Sequence, residues 1–186
     1  MLASSPKYNV EAAAQVSHAI TVNKIVVEDD YFTAVDDLNT GETDAGSAHI
    51  GETGFGSGVF YTYICINYSL LIENLGNDKE LAEKTVKALT EAAAKVAPSG
   101  KQNSYASRAR ALYILAEKGE QQPRQLSSAF LKPVYEEDMV NEAIKRIEEL
   151  YKNMDKVYGP CADSRYSINV QQGEGSFEEL LSFIAG

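Results

Sequence analysis

The chain has 186 residues, 44% of them hydrophobic, and a formal net charge of −10. It is long enough to bury a sizeable core as one domain, and it lacks the long apolar run of a membrane span or signal peptide, so we expect a cytoplasmic protein with no membrane partner. The acidic balance disfavours a generic nucleic-acid binder, since affinity for phosphates comes mainly from lysine and arginine.

The charge is unevenly distributed along the chain. Residues 1–60 carry nine acids and two bases, a net −7, whereas residues 98–132 carry two acids and six bases, a net +4. The two cysteines, Cys65 and Cys161, lie far apart without a CxxC motif, which predicts reduced thiols. One basic segment in an acidic chain is therefore the first candidate for contact with an anionic partner.

The first predicted element is a short helix at residues 9–20. Asn9 can cap it, and its apolar residues follow at helical spacing. His18 would lie on this helix, and because no second ligand follows four residues on, a packed histidine is favoured over a metal ligand. The apolar residues at helical spacing are Val10, Ala13, Val16 and Ile20.

A long β-hairpin is the second predicted element. Its ascending arm, residues 25–35, is rich in β-branched and aromatic side chains, and its returning arm, residues 57–68, alternates in period two. About twenty residues rich in Gly, Thr, Asp and Ser separate the arms, too many for a tight turn, so we expect the hairpin to project from its domain. The alternative is a strand buried on both faces within its own sheet, which the carboxylates of the arm disfavour.

Helices and strands alternate over the rest of the chain. We predict a helical turn at 69–75, a helix from a capping box at Asn77 and Glu80 to about Val96, a strand at 109–117 in the middle of a sheet, a helix at 136–158, a strand at 165–170 and a helix at 176–184. The predicted inward residues of the first long helix are Leu81, Thr85, Leu89, Ala93 and Val96. Those of the second are Met139, Ala143, Ile147, Leu150 and Met154.

A glycine-lysine segment after the first long helix is the first candidate site. Gly100 and Lys101 suggest a nucleotide-phosphate loop, but that motif requires Gly at position 95 and Ser or Thr at 102, where the chain has Lys95 and Gln102. The segment is better suited to an RNA phosphate, with Ser99 and Gln102 as donors, Gly100 allowing close approach and Lys101 supplying charge. The alternative is a loop that only ends the preceding helix.

The acidic residues of the hairpin raise the alternative of a metal-dependent nuclease. Alternation along a strand splits neighbouring carboxylates between its two faces, and only two histidines exist in the chain. We therefore predict no catalytic residue, no metal and no cofactor. The ligands of such a nuclease would be Asp29, Asp30, Asp36, Asp37 and His49.

Five segments, in order along the chain, resemble one known family. They are QVSHAI at 15–20, YFTAVDDL at 31–38, SAHIG at 47–51, FGSGVFY at 55–61 and PSGKQNSYA at 98–106. The family is the backbone subunit of the type I-E CRISPR effector complex, Cascade. The likeness covers almost the whole chain but corresponds to the carboxyl-terminal portion of the family, so we expect residues 1–186 to form that single portion.

The resemblance implies an α+β fold. An incomplete RRM-like (ferredoxin-like) palm of strands and helices at 69–186 would bear a projecting β-hairpin, the thumb, at about 22–68. The resemblance also implies a non-catalytic subunit that binds CRISPR guide RNA and stacks head-to-tail with neighbouring copies, while the thumb displaces bases at intervals. Other Cascade subunits and target DNA, recognised through the guide, are the further partners implied. Base pairing reads the target, so the protein is expected to contact RNA backbone and shape.

The resemblance assigns roles to individual residues of the thumb. Met1 and Ile50 match the apolar pair beside the displaced base, and Phe32, Thr33 and Val35 match the thumb strand along the RNA. Inserting such a wedge costs a few kcal/mol of unstacking, which stacking of roughly 1–3 kcal/mol per base offsets.

Two further assignments come from charge. Arg108 and Arg110 are predicted as phosphate contacts from their charge and their place at the start of the predicted strand. The acid pairs at 29–30 and 36–37 are expected to face a basic surface of a neighbouring copy, because a segment at −7 should not grip phosphates. The alternatives to an RNA-binding subunit are the metal-dependent nuclease and a module for protein assembly only.

Overall fold

The computed structural model describes residues 10–34 and 49–185, and it confirms the predicted α+β class. The described strands pair antiparallel, two by two, and helices flank them. In chain order the strands are β1 (Ala14–Val16), β2 (Ile20–Thr21), β3 (Val27–Ala34), β4 (His49–Gly56), β5 (Phe60–Tyr61), β6 (Ile64–Ile66), β7 (Tyr113–Lys118) and β8 (Ser164–Asn169). The helices are α1 (Tyr68–Asn74), α2 (Lys79–Lys95), α3 (Gln102–Tyr105), α4 (Met139–Tyr158) and α5 (Phe177–Ala185), with a 3₁₀ turn at Ser127–Phe130. In this part of the chain, no helix has the length and apolar character needed to cross a membrane.

The predicted helix at 9–20 is wrong. Its residues form β1 and β2, which pair with β6 and β5, and His18 lies between the two strands. The ladder is extended by Ser17, whose N–H donates to the carbonyl of Tyr63 and whose Oγ accepts from the N–H of Tyr63, both at 2.9 Å. The partner strand Ile64–Ile66 supplies backbone hydrogen bonds at a distance in sequence, and these override the helical spacing of the apolar residues.

The predicted hairpin is present, but its returning arm is β4 and not residues 57–68. β3 and β4 pair over eight residues each, from Val27 opposite Gly56 to Ala34 opposite His49. The expected returning arm instead contains β5 and β6, which pair with β2 and β1. Glycines at 51, 54 and 56 made β4 look like a loop, because glycine is depleted in strand interiors.

The base of the hairpin is fixed by a buried join to the rest of the chain. The N–H of Val134 donates to the carbonyl of Val22 at 2.8 Å, and both side chains are almost fully buried. Next along the chain, Oδ1 of the buried Asn23 accepts from the N–H of Val59 at 2.9 Å, which holds the returning chain beside the ascending one. Ile25 packs against Gly58, where an added Cβ would lie 2.8 Å from its Cδ1.

The join belongs to the main hydrophobic core, which forms around α4. Buried residues of α4, of the 3₁₀ turn and of the segment before β3 meet there. The inward stripe predicted for α4 is confirmed, since Ala143 and Ile147 are buried and the other three residues pack against the cluster. Gly159, with φ of 90°, ends the helix as predicted. The buried cluster consists of Val22, Leu126, Phe130, Val134, Ala143 and Ile147.

Helix α2 has its expected length but a different cap and a different inner face. Oδ1 of Asp78 accepts from the N–H of Leu81 at 3.0 Å, so Asp78 is the cap, while the predicted cap Asn77 has φ of 67° and belongs to the turn after α1. The buried residues are Ala82, Val86 and Ala94, and the predicted Leu81 and Val96 are exposed. The small alanines allow α2 to pack closely against α5.

The carboxyl-terminal strand and helix are confirmed, but the strand predicted at 109–117 begins later, at Tyr113. The N–H of Ala111 donates to the carbonyl of Ala94 at 2.9 Å, which ties the approaching chain to the end of α2 and not to a ladder. Arg108 and Arg110 therefore precede β7, and their predicted place on the strand is wrong. Among the described residues β7 pairs with β8 alone, so the predicted position in the middle of a sheet is also not observed.

A mostly buried ion network joins β7, β8, α4 and the loop before the 3₁₀ turn. Arg124 Nη1 lies 2.9 Å from Glu117 Oε2, and Arg165 Nη1 lies 2.6 Å from Asp155 Oδ2. Each arginine also reaches the other carboxylate, so the four groups form a closed set. The hydrogen bond from Arg165 lowers the pKa of Asp155 below its ordinary value. The network thus stabilises the packing of the β7–β8 sheet on α4.

We expect Asp155→Asn to lower the free energy of unfolding near neutral pH by about 1–3 kcal/mol, because two arginines lose their shared carboxylate. Since the pKa of Asp155 is lower in the folded chain than in the unfolded one, its contribution is complete near neutral pH and is lost as pH falls through the folded pKa. Urea unfolding of the wild type and of Asp155→Asn should therefore give free energies of unfolding whose difference becomes smaller as the pH is lowered.

The control is Lys84→Gln, which removes an exposed ion pair with Glu80 and should not change stability measurably. A difference between wild type and Asp155→Asn that is the same at neutral and acid pH would contradict the role given to the carboxylate.

Candidate functional site

One face of the hairpin is built around an aromatic ring lying on a glycine. Phe32 pairs with Gly51 across β3 and β4, and a Cβ added to Gly51 would overlap the Phe32 ring. The ring thus covers the bare backbone of Gly51, an arrangement in which an aromatic side chain compensates for a glycine in a strand. Phe32 is 45% exposed, so it is not sealed in the core. This face presents apolar ring surface to a potential partner.

The loop at residues 98–107 is held closed by its own glutamine. The Nε2 of Gln102 donates to the carbonyls of Pro98 and Ser107, at the two ends of the loop. Both N–H bonds of the amide are then engaged within the loop, whereas Oε1 is buried without a partner in the described part of the chain. In this conformation Gln102 shapes the loop, and a direct bond from it to a phosphate stays a prediction.

The other predicted residues of this loop are open to solvent. Ser99, Gly100 and Lys101 are exposed, and nothing lies within 4 Å of a Cβ added to Gly100. Lys101 has φ of 58°, a left-handed conformation that costs a non-glycine residue free energy and persists where surrounding bonds enforce it. The loop therefore offers a hydroxyl, open backbone and one ammonium group immediately before α3.

A ring contact joins the hairpin to this loop. Phe55, at the base of β4, and Tyr105, at the end of α3, have ring centroids 5.2 Å apart and planes tilted by 35°. By strand alternation Phe55 shares its face with Gly51, on which Phe32 lies. The contact thus places the aromatic face of the hairpin beside the loop that carries Lys101.

Beyond the loop, the predicted arginines line an open cavity at the end of α2. The cavity has a volume of about 330 Å³, and its lining includes Arg108, Arg110 and Lys95. Lys95 already has two partners within the chain. Its Nζ lies 2.8 Å from Glu91 Oε1 and 4.1 Å from the centre of the Phe177 ring. The two arginines are exposed and supply the available positive charge of this surface.

The remaining predicted residues divide between the hairpin ladder and the part of the chain outside the described residues. Thr33 and Ile50 pair with each other across the strands. Met1 and Val35 lie outside the described residues, as do Asp36 and Asp37. The structure thus collects the described predicted residues into the hairpin, the loop and the cavity, with the hairpin and the loop in contact.

The acid pair Asp29–Asp30 is split by the strand pairing. Asp29 lies opposite Gly54 and Asp30 opposite Thr53, so the two carboxylates belong to opposite faces of the hairpin. Among residues 10–34 and 49–185, no group of three His, Cys, Asp or Glu side chains is arranged to hold a metal ion. One surface of a neighbouring molecule would therefore meet only one member of the pair.

Sequence reasoning gave no role to Gly51, Phe55, Tyr105 or Lys95. Three of them lie within the segments that carry the family resemblance, which was the available signal, but only the tertiary structure shows Phe55 against Tyr105 and Phe32 over Gly51. Lys95 reads as the last charged residue of α2, and its place in the cavity depends on the path of residues 108–111.

Comparisons with known proteins identify relatives of the whole described fold. Two chains of solved structures superpose on it with a TM-score of 0.84 each. One, from a "CRISPR RNA-guided surveillance complex, pre-nicking", is 28% identical, and the match covers 100% of this chain and 52% of that chain. The other, from a "CRISPR RNA-guided surveillance complex", is 30% identical, with 100% and 74% covered. This chain therefore spans about half the length of the first.

No curated protein matches the sequence. A family model described as "CT1975-like protein" matches residues 1–181. Because that match extends over nearly the whole sequence, the chain belongs to the CT1975-like protein family.

Proposed function

We propose that this chain is a non-catalytic, guide-RNA-binding backbone subunit of a type I-E CRISPR surveillance complex, Cascade. The observation that carries the proposal is the likeness over the full chain to subunits of RNA-guided surveillance complexes. The hairpin is the thumb of this subunit, and the elements after it form part of an RRM-like palm. Its partners are guide RNA, neighbouring copies, other subunits of the complex, and target DNA through the guide.

The hairpin and the loop at 98–107 contact different parts of the RNA. Phe32 presents its ring on the hairpin and stacks on a base, an interaction that tolerates any sequence because every base has a flat apolar face. Lys101, with Ser99 and Gly100, contacts a phosphate, which fixes position without reading sequence. Guide pairing reads the target, so the protein needs no base-specific contact.

The charge distribution favours this division. Residues 1–60 carry a net −7 and residues 98–132 a net +4. An acidic hairpin repels phosphates, so its contribution comes from ring stacking, while the basic segment supplies the electrostatic attraction. Asp30 shares the face of Phe32 by strand alternation, whereas Asp29 lies on the other face and is the better placed of the two to meet a neighbouring copy.

Co-purification tests the proposal directly. The tagged chain is co-expressed with a CRISPR guide RNA, alone and together with the segment of the related chains that it does not span. We expect guide RNA to co-purify in multi-subunit particles at least in the second case. Particles without RNA would favour a protein-only assembly module, and guide RNA cleaved on addition of Mg²⁺ would contradict the non-catalytic role.

The glycine beneath Phe32 gives a sharper test of the hairpin. Gly51→Ala should displace the ring and weaken guide-RNA binding up to about fivefold, part of the roughly 1–3 kcal/mol that base stacking contributes. Fluorescence anisotropy with labelled guide RNA measures the affinity. The matched control is Gly54→Ala in the same strand, where an added Cβ lies 3.3 Å from Val27 Cγ1 and leaves Phe32 in place. Equal effects of the two substitutions would contradict the role of Phe32.

The arginines of the cavity are tested through salt dependence. Replacing Arg108 and Arg110 together with Ala should reduce the slope of log affinity against log salt concentration by about two, if each arginine neutralises one phosphate. Replacing Lys84 and Lys152, two exposed lysines on α2 and α4, makes the same change in net charge and should leave the slope unaltered. An unaltered slope in the arginine variant would remove both residues from the interface.

A further inference from the structure

The proposed function assigns Phe32 of the hairpin and Lys101 of the loop to RNA. It gives no role to the contact of Phe55 with Tyr105, which joins the hairpin to the loop. We propose that this pair is a latch that sets the position of the hairpin over the loop at 98–107, which makes Tyr105 a positioning residue for guide RNA. The proposal rests on the proposed function, because the position it sets is that of Phe32 relative to Lys101.

The loop side of the latch is held by hydrogen bonds within the loop. The N–H of Tyr105 donates to the carbonyl of Lys101 at 2.9 Å, so the residue that carries the ring and the residue that carries the ammonium group share one helical turn. The N–H of Ala106 donates to the carbonyl of Gln102 at 2.8 Å, and the amide of Gln102 in turn clamps the two ends of the loop. The backbone that carries the Tyr105 ring is therefore tied to the backbone of Lys101.

The hairpin side is held by the pairing of β3 with β4. Phe55 lies four residues from Gly51 along β4, a distance of about 13 Å in an extended strand. The continuous ladder from Val27 to Ala34 makes the two strands one body, and Phe55 and the Phe32 ring lie on the same face of it. Holding Phe55 therefore fixes the direction in which Phe32 faces.

The latch itself is of a strength that allows opening. Phe55 is 43% exposed and Tyr105 39% exposed, so separating the rings uncovers only part of their surface. An aromatic pair of this geometry changes an equilibrium constant by about 2- to 10-fold beyond the effect of burial. The pair thus biases the hairpin toward the position that binds RNA by a modest free energy, which is lost when either ring is removed.

The test measures the hairpin position and the RNA affinity separately. Spin labels at Glu52→Cys on the hairpin and Lys84→Cys on α2, in a background with Cys65→Ser and Cys161→Ser, report the distance between the two elements by double electron–electron resonance without RNA. The variants are Tyr105→Ala, Phe55→Ala, both together, and Tyr105→Phe, which keeps the ring. The control is Tyr158→Ala, which removes a highly exposed tyrosine from the end of α4.

We expect each alanine variant to broaden the distance distribution and to weaken guide-RNA binding by about 2- to 10-fold. The double variant should show no more than the larger single effect, because both substitutions remove the same contact. Tyr105→Phe and Tyr158→Ala should resemble wild type in both measurements.

Three results would overturn the latch, and they differ from a failure of the proposed function. Unchanged distances in the alanine variants would show that the rings do not position the hairpin, whether or not RNA binds. Broadened distances with unchanged affinity would remove the positioning role while the RNA-binding function stands. Affinity losses that multiply in the double variant would mean that each ring contacts RNA independently. Absence of guide RNA from the wild-type protein would overturn the proposed function and the RNA role of Tyr105 together, and the distances would still decide whether the rings hold the hairpin.

Discussion

The buried join between Val22 and Val134 is the constraint on which the arrangement of this chain depends. A two-stranded hairpin is at best marginally stable in water by itself, and here both strands are largely exposed. The join embeds the ascending chain in the core around α4, and the buried Asn23 holds the returning chain to it at Val59. The hairpin is therefore rooted at its base in the core, although most of its described side chains are exposed.

Two glycines of β4 each lie beside a bulky side chain of the ascending arm. Gly51 lies opposite Phe32, and Gly56 lies opposite Val27 and next to the side chain of Ile25. Each glycine gives up strand propensity, and a neighbouring bulky side chain covers the backbone that it leaves bare. The Phe32 and Phe55 rings lie outside the main hydrophobic cluster and are 45% and 43% exposed.

The proposed function resolves an apparent conflict in the charge of the chain. A protein with a formal net charge of −10 is poorly suited to bind a polyanion. The structure separates the groups that repel phosphate, on β3 and β4, from the exposed lysine and arginines of the loop and cavity, and the contact of Phe55 with Tyr105 brings the hairpin to the loop. Under the proposed function, ring stacking and phosphate contact act on the same RNA strand. Neither surface has to supply the whole affinity.

Several elements of this architecture can be predicted from the residues that form them. The long helix α4, with its amphipathic stripe and its Gly159 stop, is specified by residues within it, and so are β8 and α5. The acid-rich hairpin and the basic segment at 98–132 were also visible, as was the glycine-lysine loop, because residue type and spacing carry that information directly. Within α2, the cap and the inner face were displaced by one position, since Asn77 and Asp78 are both good caps and the choice between them depends on the turn that ends α1.

The tertiary structure decided what depends on partners distant in the chain. Residues 14–16 became a strand because Ile64–Ile66 lies beside them, and β4 became a strand because β3 pairs with it over eight residues. The same holds for the cavity, where Arg108 and Arg110 meet Lys95 only because the N–H of Ala111 bonds to the end of α2. Sequence by itself determined the composition of each surface, whereas the fold determined which surfaces meet, because pairing and ring contact are set by neighbours in space that no local pattern encodes.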